Sequence, residues 1–432
     1  MKNNIPEINV GVLGIWHLGS VYSTALAHQG YNVVGFDLNQ ETIKNLNLGV
    51  PPIYEPNLEN YLKQHLNRNL YFTKVAKKAI KDKKYIFITL DIDVNDQDNI
   101  DSNKFNQLFR LIVKYISDKT TIVISSQIPV GTTRSLINKF ASKEIQIIYF
   151  PENLRLGNAF ADFLNPQRII LGADRQEIID GFLSDFNFFH CPILKMSVES
   201  AEMVKHALNS YLALNISFAI ELGNICVITG ADMVQVVEGL KSDERIGNNA
   251  RIDPGLGFAG GTLGRDLKSL IKISQKNNYT PKLLRTIYQV NQDGLKNLIK
   301  KIRLIYPTLK NKKIGILGLT YKPNTNTLRR SFSLEIAKQL SAEKAKIYAF
   351  DPVIKSLDSK YNYIKLATSI DDLLTGLDML ILMTEWNDFK KIDLNKASVR
   401  MQNKIVIDTK NFLNKTDYLS HGFKYFGVGR NI

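Results

Sequence analysis

"EINVGVLGIWHLGSVYSTALAHQGYNVVGFD", residues 7–37, reads as a strand, a tight turn, a helix and a second strand. The apolar run at 7–14 has the length of a buried strand. Small and apolar residues recur at helical spacing through "SVYSTALAHQG", and "YNVVGFD" is a second apolar run closed by an acid. In the turn, "GIWHLG", Gly14 and Gly19 occupy the first and sixth positions of the phosphate-binding fingerprint, in which backbone amides approach a pyrophosphate at the start of a helix. Trp16 stands at the third position, where glycine is expected. Asp37 lies about 20 residues beyond the glycines, the place of the acid that takes the free ribose hydroxyls of NAD in preference to the phosphorylated form. The unit predicts a cofactor site for NAD built on Gly14, Trp16, Gly19 and Asp37.

Further strands follow at "YIFITLD", "TIVISS" and "IQIIYFP", alternating with helix-like segments, which argues for a parallel sheet covered by helices. From Val198 the pattern becomes one long apolar-periodic stretch, "VESAEMVKHALNSYLALNISFAIELGNICVIT", read as a long helix between domains. "KKIGILGLTYK" then opens a second strand-turn unit, and "AKIYAFDP", "MLILMTEW" and "KIVIDTKN" supply three more strands. The expected fold class is α/β, with two Rossmann-like doubly wound domains, similar in type, joined by a long central helix. The expected boundaries are 1–197, 198–305 and 306–432.

Composition limits the function classes. A chain of 432 residues, 44% of them hydrophobic, can bury two or three cores. No apolar run is read as long enough to cross a bilayer, and the start lacks the sections of a signal peptide, so a cytoplasmic protein without a membrane partner is expected. Cys191 and Cys226 have no metal-ligand spacing around them. The net charge of +15 is spread over lysines interleaved with acids and apolar residues, without an aromatic-rich basic ribbon. That distribution speaks against a nucleic-acid partner and for a basic surface with an anion-binding pocket.

The second candidate site centres on "GLGFAGGTLGRD", Gly255 to Asp266, with five glycines in twelve residues. Lys205 and Asn209 lie four apart in the long helix and face the same way. Glu152 stands at a strand end in "FPENLRLGNAFADFLNPQR". A lysine, an amide and two carboxylates near glycine-rich backbone suit an alcohol and its alkoxide.

With these motifs in order, the sequence resembles the UDP-glucose/GDP-mannose dehydrogenase family over nearly its whole length. "GVPPIYEPNLENYL" is similar to the family's E-P-x-L segment, "SSQIPVGTT" to S-T-x-P-x-G-T, and "PENLRLGNAFADF" to P-E-F-L-R-E-G-x-A. "AEMVKHALNSYLALNISFAIELGNIC" matches the central helix, "DERIG" keeps the family's arginine, and "ILGLTYKPNTNTLRRS" resembles G-L-x-F-K-x-x-T-D-D-x-R-E-S. "MTEWNDF" and "IDTKN" match T-E-W and D-x-R-N. The resemblance implies NAD, a homodimer formed through the central helix, and oxidation of the C6 alcohol of a nucleotide sugar to a carboxylate through a cysteine thiohemiacetal. It also implies that Arg245 reaches the substrate of a neighbouring subunit. Gly257, Phe258, Gly260, Gly261 and Lys322 would contact the substrate, Arg329 the cofactor, and Lys205, Asn209, Asp266 and Glu152 the chemistry.

The departures fall at that chemistry. The cysteine of G-F-G-G-S-C-F-P-K-D falls on Thr262, and Phe-Pro-Lys becomes Leu263, Gly264 and Arg265. The family's second glutamate is Leu156, and the threonine that helps position a water is Gln127. "LDIDVND" replaces the V-x-T-P strand end, and Asn326, Thr327 and Arg330 replace acids. A threonine hydroxyl is a far poorer nucleophile than a partly ionised thiol, and this motif holds no histidine to activate it. Three functions are compatible with such a chain. They are an NAD-dependent oxidoreductase acting on a nucleotide sugar, a redox-neutral epimerase that keeps its NAD, and a silent paralogue that binds a nucleotide sugar or NAD.

Overall fold

The computed structural model describes residues 8–92, 103–140, 145–151 and 153–430. The chain divides into two compact units, Met1–Leu208 and Asn209–Ile432, the division falling within the long helix.

The first unit holds a sheet of β1 (Asn9–Leu13), β2 (Asn32–Phe36), β3 (Leu70–Thr73), β4 (Tyr85–Ile88), β5 (Thr121–Ile124), β6 (Gln146–Tyr149), β7 (Ile169–Ala173) and β8 (Ile193–Met196), in the order β3-β2-β1-β4-β5-β6-β7-β8. All pairs are parallel except β6 with β7. Strand periodicity divides the core in two. On β4, Tyr85 and Phe87 enter one apolar layer, and Ile86 and Ile88 enter the layer on the opposite face. Burial on both faces is why the inner strands read as unbroken apolar runs.

The second unit repeats the topology with β9 (Lys313–Leu317), β10 (Lys346–Phe350), β11 (Ile364–Leu366), β12 (Met379–Leu382), β13 (Ile405–Asp408) and β14 (Lys424–Gly427), ordered β11-β10-β9-β12-β13-β14 and wholly parallel. The likeness extends beyond type to atoms. Gly14 ends β1 with φ +94° and its N–H donates to Phe36 O at 2.9 Å; Gly318 ends β9 with φ +87° and donates to Phe350 O at 2.9 Å. The Ile15 N–H reaches Asp37 Oδ2 at 2.8 Å, and the Leu319 N–H reaches Asp351 Oδ2 at 2.7 Å. In each sheet the strand order reverses beside this turn, the position where doubly wound folds bind ligands.

The helices that position functional groups are α1 (His17–His28), α2 (Leu58–His65), α3 (Thr132–Lys139), α4 (Ala159–Leu164), α5 (Val198–Thr229), α6 (Met233–Ser242), α7 (Thr262–Lys276), α8 (Lys282–Ile305) and α9 (Phe332–Ala342). The expectation that no apolar run could cross a bilayer is not met. The 32-residue α5 contains an 18-residue window of mean hydropathy 1.7. Its apolarity belongs to a helix with packing duties on several faces: Ala213 joins the cluster of Phe258, Leu267 and Ile287, while Ala219 and Cys226 join that of Met233, Val237 and Ile252.

Candidate cofactor and active sites

The first turn is built for close approach. A Cβ at Gly14 would stand 2.7 Å from Leu90 Cα, and one at Gly19 would stand 2.1 Å from Gly14 O, so neither position accepts a side chain. The Thr89 hydroxyl at the end of β4 donates to Gly14 O at 2.9 Å and fixes the turn from below. Asp37 accepts the Ile15 and Asn39 N–H groups at 2.8 Å each, which anchors its half-buried carboxylate with lone pairs to spare for hydroxyls. The Trp16 side chain makes no cap hydrogen bond to α1, and the first turn of that helix holds no acid. These features fit a dinucleotide: α1 would face the diphosphate, Asp37 the ribose, and the bound NAD would supply a hydride acceptor. Trp16 is 47% exposed at the mouth of this turn.

Two buried glutamates unnoticed in the sequence hold the surroundings. Glu55, its side chain wholly buried, accepts from Gly157 N at 2.7 Å and Ala159 N at 3.1 Å at the start of α4, and pairs with His17 Nε2 at 2.7 Å. Glu202 on α5 accepts from Gly131 N at 2.6 Å, Thr133 N at 2.8 Å and Thr133 Oγ1 at 2.6 Å, capping α3 after the "SSQIPVGTT" loop. Burial pushes its carboxyl above the usual range, against these hydrogen bonds, which pull it down. One turn later His206 Nε2 lies 2.9 Å from Ile128 O in the same loop. Both residues carry sequence signals, the E-P-x-L match for Glu55 and the position three before Lys205 for Glu202, yet neither spacing says what they bind.

Lys205 is buried on α5, with 6% of its surface exposed. Gln127 is buried after β5, and among the described residues its Nε2 has no hydrogen-bond partner. Leu156 is half-buried. Glu152 lies outside the described residues, as does most of "LDIDVND".

In the second unit the glycine-rich loop is held by a residue the sequence reading missed. Asn291 on α8 accepts the Phe258 N–H at 2.7 Å and donates to Phe258 O at 3.1 Å, both ends buried. Three residues on, a Cβ at Gly294 would stand 1.9 Å from Leu256 O, so α8 lies directly against the loop backbone. The Phe258 ring sits in the apolar cluster with Ala213, Leu267 and Ile287, anchoring the loop from inside. Gly257 adopts φ +125°, where a Cβ would strike Asn291 Oδ1 at 2.3 Å, and Gly260 adopts φ +78° against the Tyr321 ring. The signal for the clamp, Asn291 and Gly294 three apart on one helical face, is visible in "VNQDGL" only once the partner loop is known.

The loop delivers Thr262 as the exposed first residue of α7, after Gly261 at the N-cap. One turn inward Asp266 is fully buried and takes the Asn209 side-chain N–H on Oδ2. Arg265, 7% exposed, has its Nε 3.8 Å from Asp266 Oδ1. A Cβ at Gly261 would stand 3.4 Å from the Arg329 guanidinium carbon, so this unit places Arg329 beside the glycine-rich loop. Lys322 is half-buried in the turn after β9. Arg245 is turned outward, its side chain 88% exposed and paired with Asp243 at 2.6 Å. A cleft opens at the carboxyl ends of β9, β12 and β13, lined by Gly257, Ala259, Thr320, Tyr321, Ser333 and Lys410 among others. It is the ligand position of the second doubly wound sheet.

Three models of one family match along the chain: the NAD-binding domain at 8–183, the central domain at 199–293 and the UDP-binding domain at 315–415. The UDP-glucose 6-dehydrogenase of Rickettsia bellii is 30% identical over 436 residues, covering 98% of this chain and 100% of the relative. UDP-glucose 6-dehydrogenase TuaD of Bacillus subtilis is 29% identical, covering 98% and 93%. Among solved structures, a UDP-glucose dehydrogenase from Pyrobaculum islandicum superposes with a TM-score of 0.89 at 27% identity, covering 100% of this chain and 99% of that one. The chain belongs to the UDP-glucose/GDP-mannose dehydrogenase family. It is a dehydrogenase-like oxidoreductase with NAD as its cofactor. The matched central domain contains all of α5 except its first residue.

Proposed function

We propose that this protein oxidises the C6 alcohol of a UDP- or GDP-activated sugar by a single hydride transfer to NAD and releases the product at the two-electron carbonyl stage. The observation that carries the reading is Thr262, an exposed hydroxyl at the loop position where the resemblance places a thiol, with the Asn209–Asp266 pair intact one turn behind it. Neither cysteine replaces that thiol. Burial raises the pKa of both, and Cys226 lies against Met233 Sδ at 3.9 Å. Without a thiolate no thiohemiacetal forms, and the aldehyde has no covalent route to the acid.

In this reading the O6 proton passes by way of a water to Asp266 as the C6 hydride leaves, and Lys205 and Asn209 hold the developing alkoxide. Gly257, Gly260 and Gly261 give the sugar close access to backbone, with Phe258 as the anchor beneath. Lys322, with the cleft between Thr320 and Lys410, takes the nucleotide diphosphate. Arg329 serves the cofactor, Arg245 reaches the neighbouring subunit's substrate, and Glu152 acts with the reacting water. The three-part division at 198 and 306, a homodimer and a cytoplasmic location belong to the same reading.

The test is the stoichiometry of purified protein with NAD and a panel of UDP and GDP sugars, following reduced nicotinamide and resolving products by mass. One reduced cofactor per sugar is expected, together with loss of turnover in Lys205→Ala. Thr262→Cys is expected to move the ratio towards two. Two per sugar in the unaltered protein would overturn the proposal. Trp16 at the cofactor turn and Leu156 in place of an acid favour a second reading, a binding paralogue without turnover. Sugar binding with no reduction and no isomerisation would establish it.

A further inference from the structure

We infer that Trp16 is an affinity-determining residue for NAD, an obstacle that holds the cofactor's diphosphate away from the amino end of α1. Everything else in the turn is arranged for contact. Gly14 and Gly19 leave no room for a Cβ, α1 has no side-chain cap at Trp16, and its first turn carries no acid to repel phosphate. At the third position of such a turn, glycine lets the diphosphate reach backbone amides at hydrogen-bonding distance. Residue 16 puts a Cβ and an indole there, and 47% of the residue stands exposed although Gly19 to Ala27 of the same helix are buried.

The backbone that carries the ring is held in place. The Trp16 carbonyl accepts from Ser20 N at 3.0 Å and from Ser20 Oγ at 2.6 Å, which locks the residue as the first acceptor of the helix. Behind it the His17 ring meets the indole edge-on at 6.3 Å, and His17 is tied to Glu55 at 2.7 Å. Glu55 is itself held by Gly157 N and Ala159 N. The imidazole beside the indole is therefore itself held. In return the indole has one N–H donor to offer an anion, against the several free backbone amides at a helix start. Loss of one charge-assisted hydrogen bond weakens binding by about tenfold or more.

Calorimetric titration with NAD and with adenosine tests this without turnover, so it stands or falls apart from the proposed reaction. Trp16→Gly is expected to bind NAD about tenfold or more tightly than the unaltered protein, while adenosine, which lacks the diphosphate, binds both alike. Glycine is an accepted N-cap residue, so the helix should persist. Should that variant fail to fold, Trp16→Ala, which removes the ring and keeps the Cβ, is expected to tighten NAD by a smaller factor. Equal or weaker NAD binding in the variants, or an adenosine gain equal to the NAD gain, would overturn the inference.

Discussion

Asn291 shows how one buried amide can set a loop. Its side chain answers both the N–H and the carbonyl of Phe258, so removing it orphans two buried backbone groups at once. Asn291→Ala is expected to destabilise the protein by about 2 kcal/mol or more in denaturant titration, since each unmade buried hydrogen bond costs about 1–3 kcal/mol. The same variant should weaken nucleotide-sugar binding, because Gly257 and Gly260 lose their hold. Asn291→Ala with unchanged stability would show that water replaces the amide. The loop itself was legible beforehand, since its glycines between Gly255 and Gly264 stand in the sequence. The clamp was not, because a single asparagine inside an amphipathic helix has no periodicity of its own.

At the scale of elements, α1 is tied at both ends by histidines to the segment that leads into and through α2. His17 meets Glu55 at one end, and at the other His28 Nδ1 lies 3.3 Å from His65 Nε2. The tautomers follow from Asn69. Its Nδ2 donates to Ala27 O at 2.7 Å and Tyr31 O at 3.1 Å, so its Oδ1 must accept from His65 Nδ1, and His65 Nε2 is left as the acceptor for His28. The Tyr61 ring packs 4.3 Å from that of His28. Burial, and then the neighbouring His65, hold the His28 pKa below its ordinary 6.5. The folded state thus resists the proton more than the unfolded chain does, and stability is full above that ordinary value and falls as pH drops below it. The urea midpoint is expected to decline from pH 7 to pH 5, and His28→Phe should flatten the decline; identical pH profiles would remove His28 from the account.

The strands tell a similar story about legibility. The inner strands β1, β4 and β5 of one sheet and β9, β12 and β13 of the other are buried on both faces and read directly from their apolar runs. All four edge strands, β3, β8, β11 and β14, escaped the sequence reading. An edge strand has one neighbour and mixed exposure, as in "ILKM" of β8, and such a segment does not differ from a loop by composition. The fully buried β7, "IILGA", also went unread; its run carries the usual signal.

For the whole molecule, the exposed face of α5 bears on assembly. Tyr211, Phe218 and Ile225 are 60%, 49% and 53% exposed and recur every seven residues, the spacing of a helical seam. If two copies pair along this face, Phe218→Glu should convert a dimer to monomer by light scattering, with NAD binding in each chain retained. A dimeric Phe218→Glu would move the interface elsewhere. The carboxyl-terminal residues close the second unit on itself. Arg430 reaches Asp232 at 2.6 Å, Lys301 donates to Gly427 O at 2.7 Å, and Met233 N donates to Gly429 O at 3.0 Å.

The sequence by itself determined the two doubly wound sheets, the long helix between them, the family and the cofactor. Each of these is written in local spacing or in the identity of one residue. Tertiary structure alone decided that the two sheets share one turn geometry, that Glu55 and Glu202 are buried caps, that Asn291 grips Phe258 and that Trp16 stands exposed. Those outcomes depend on which distant backbone groups arrive beside a side chain. A buried donor or acceptor must find a partner wherever the fold brings one, and no pattern along the chain records where that will be.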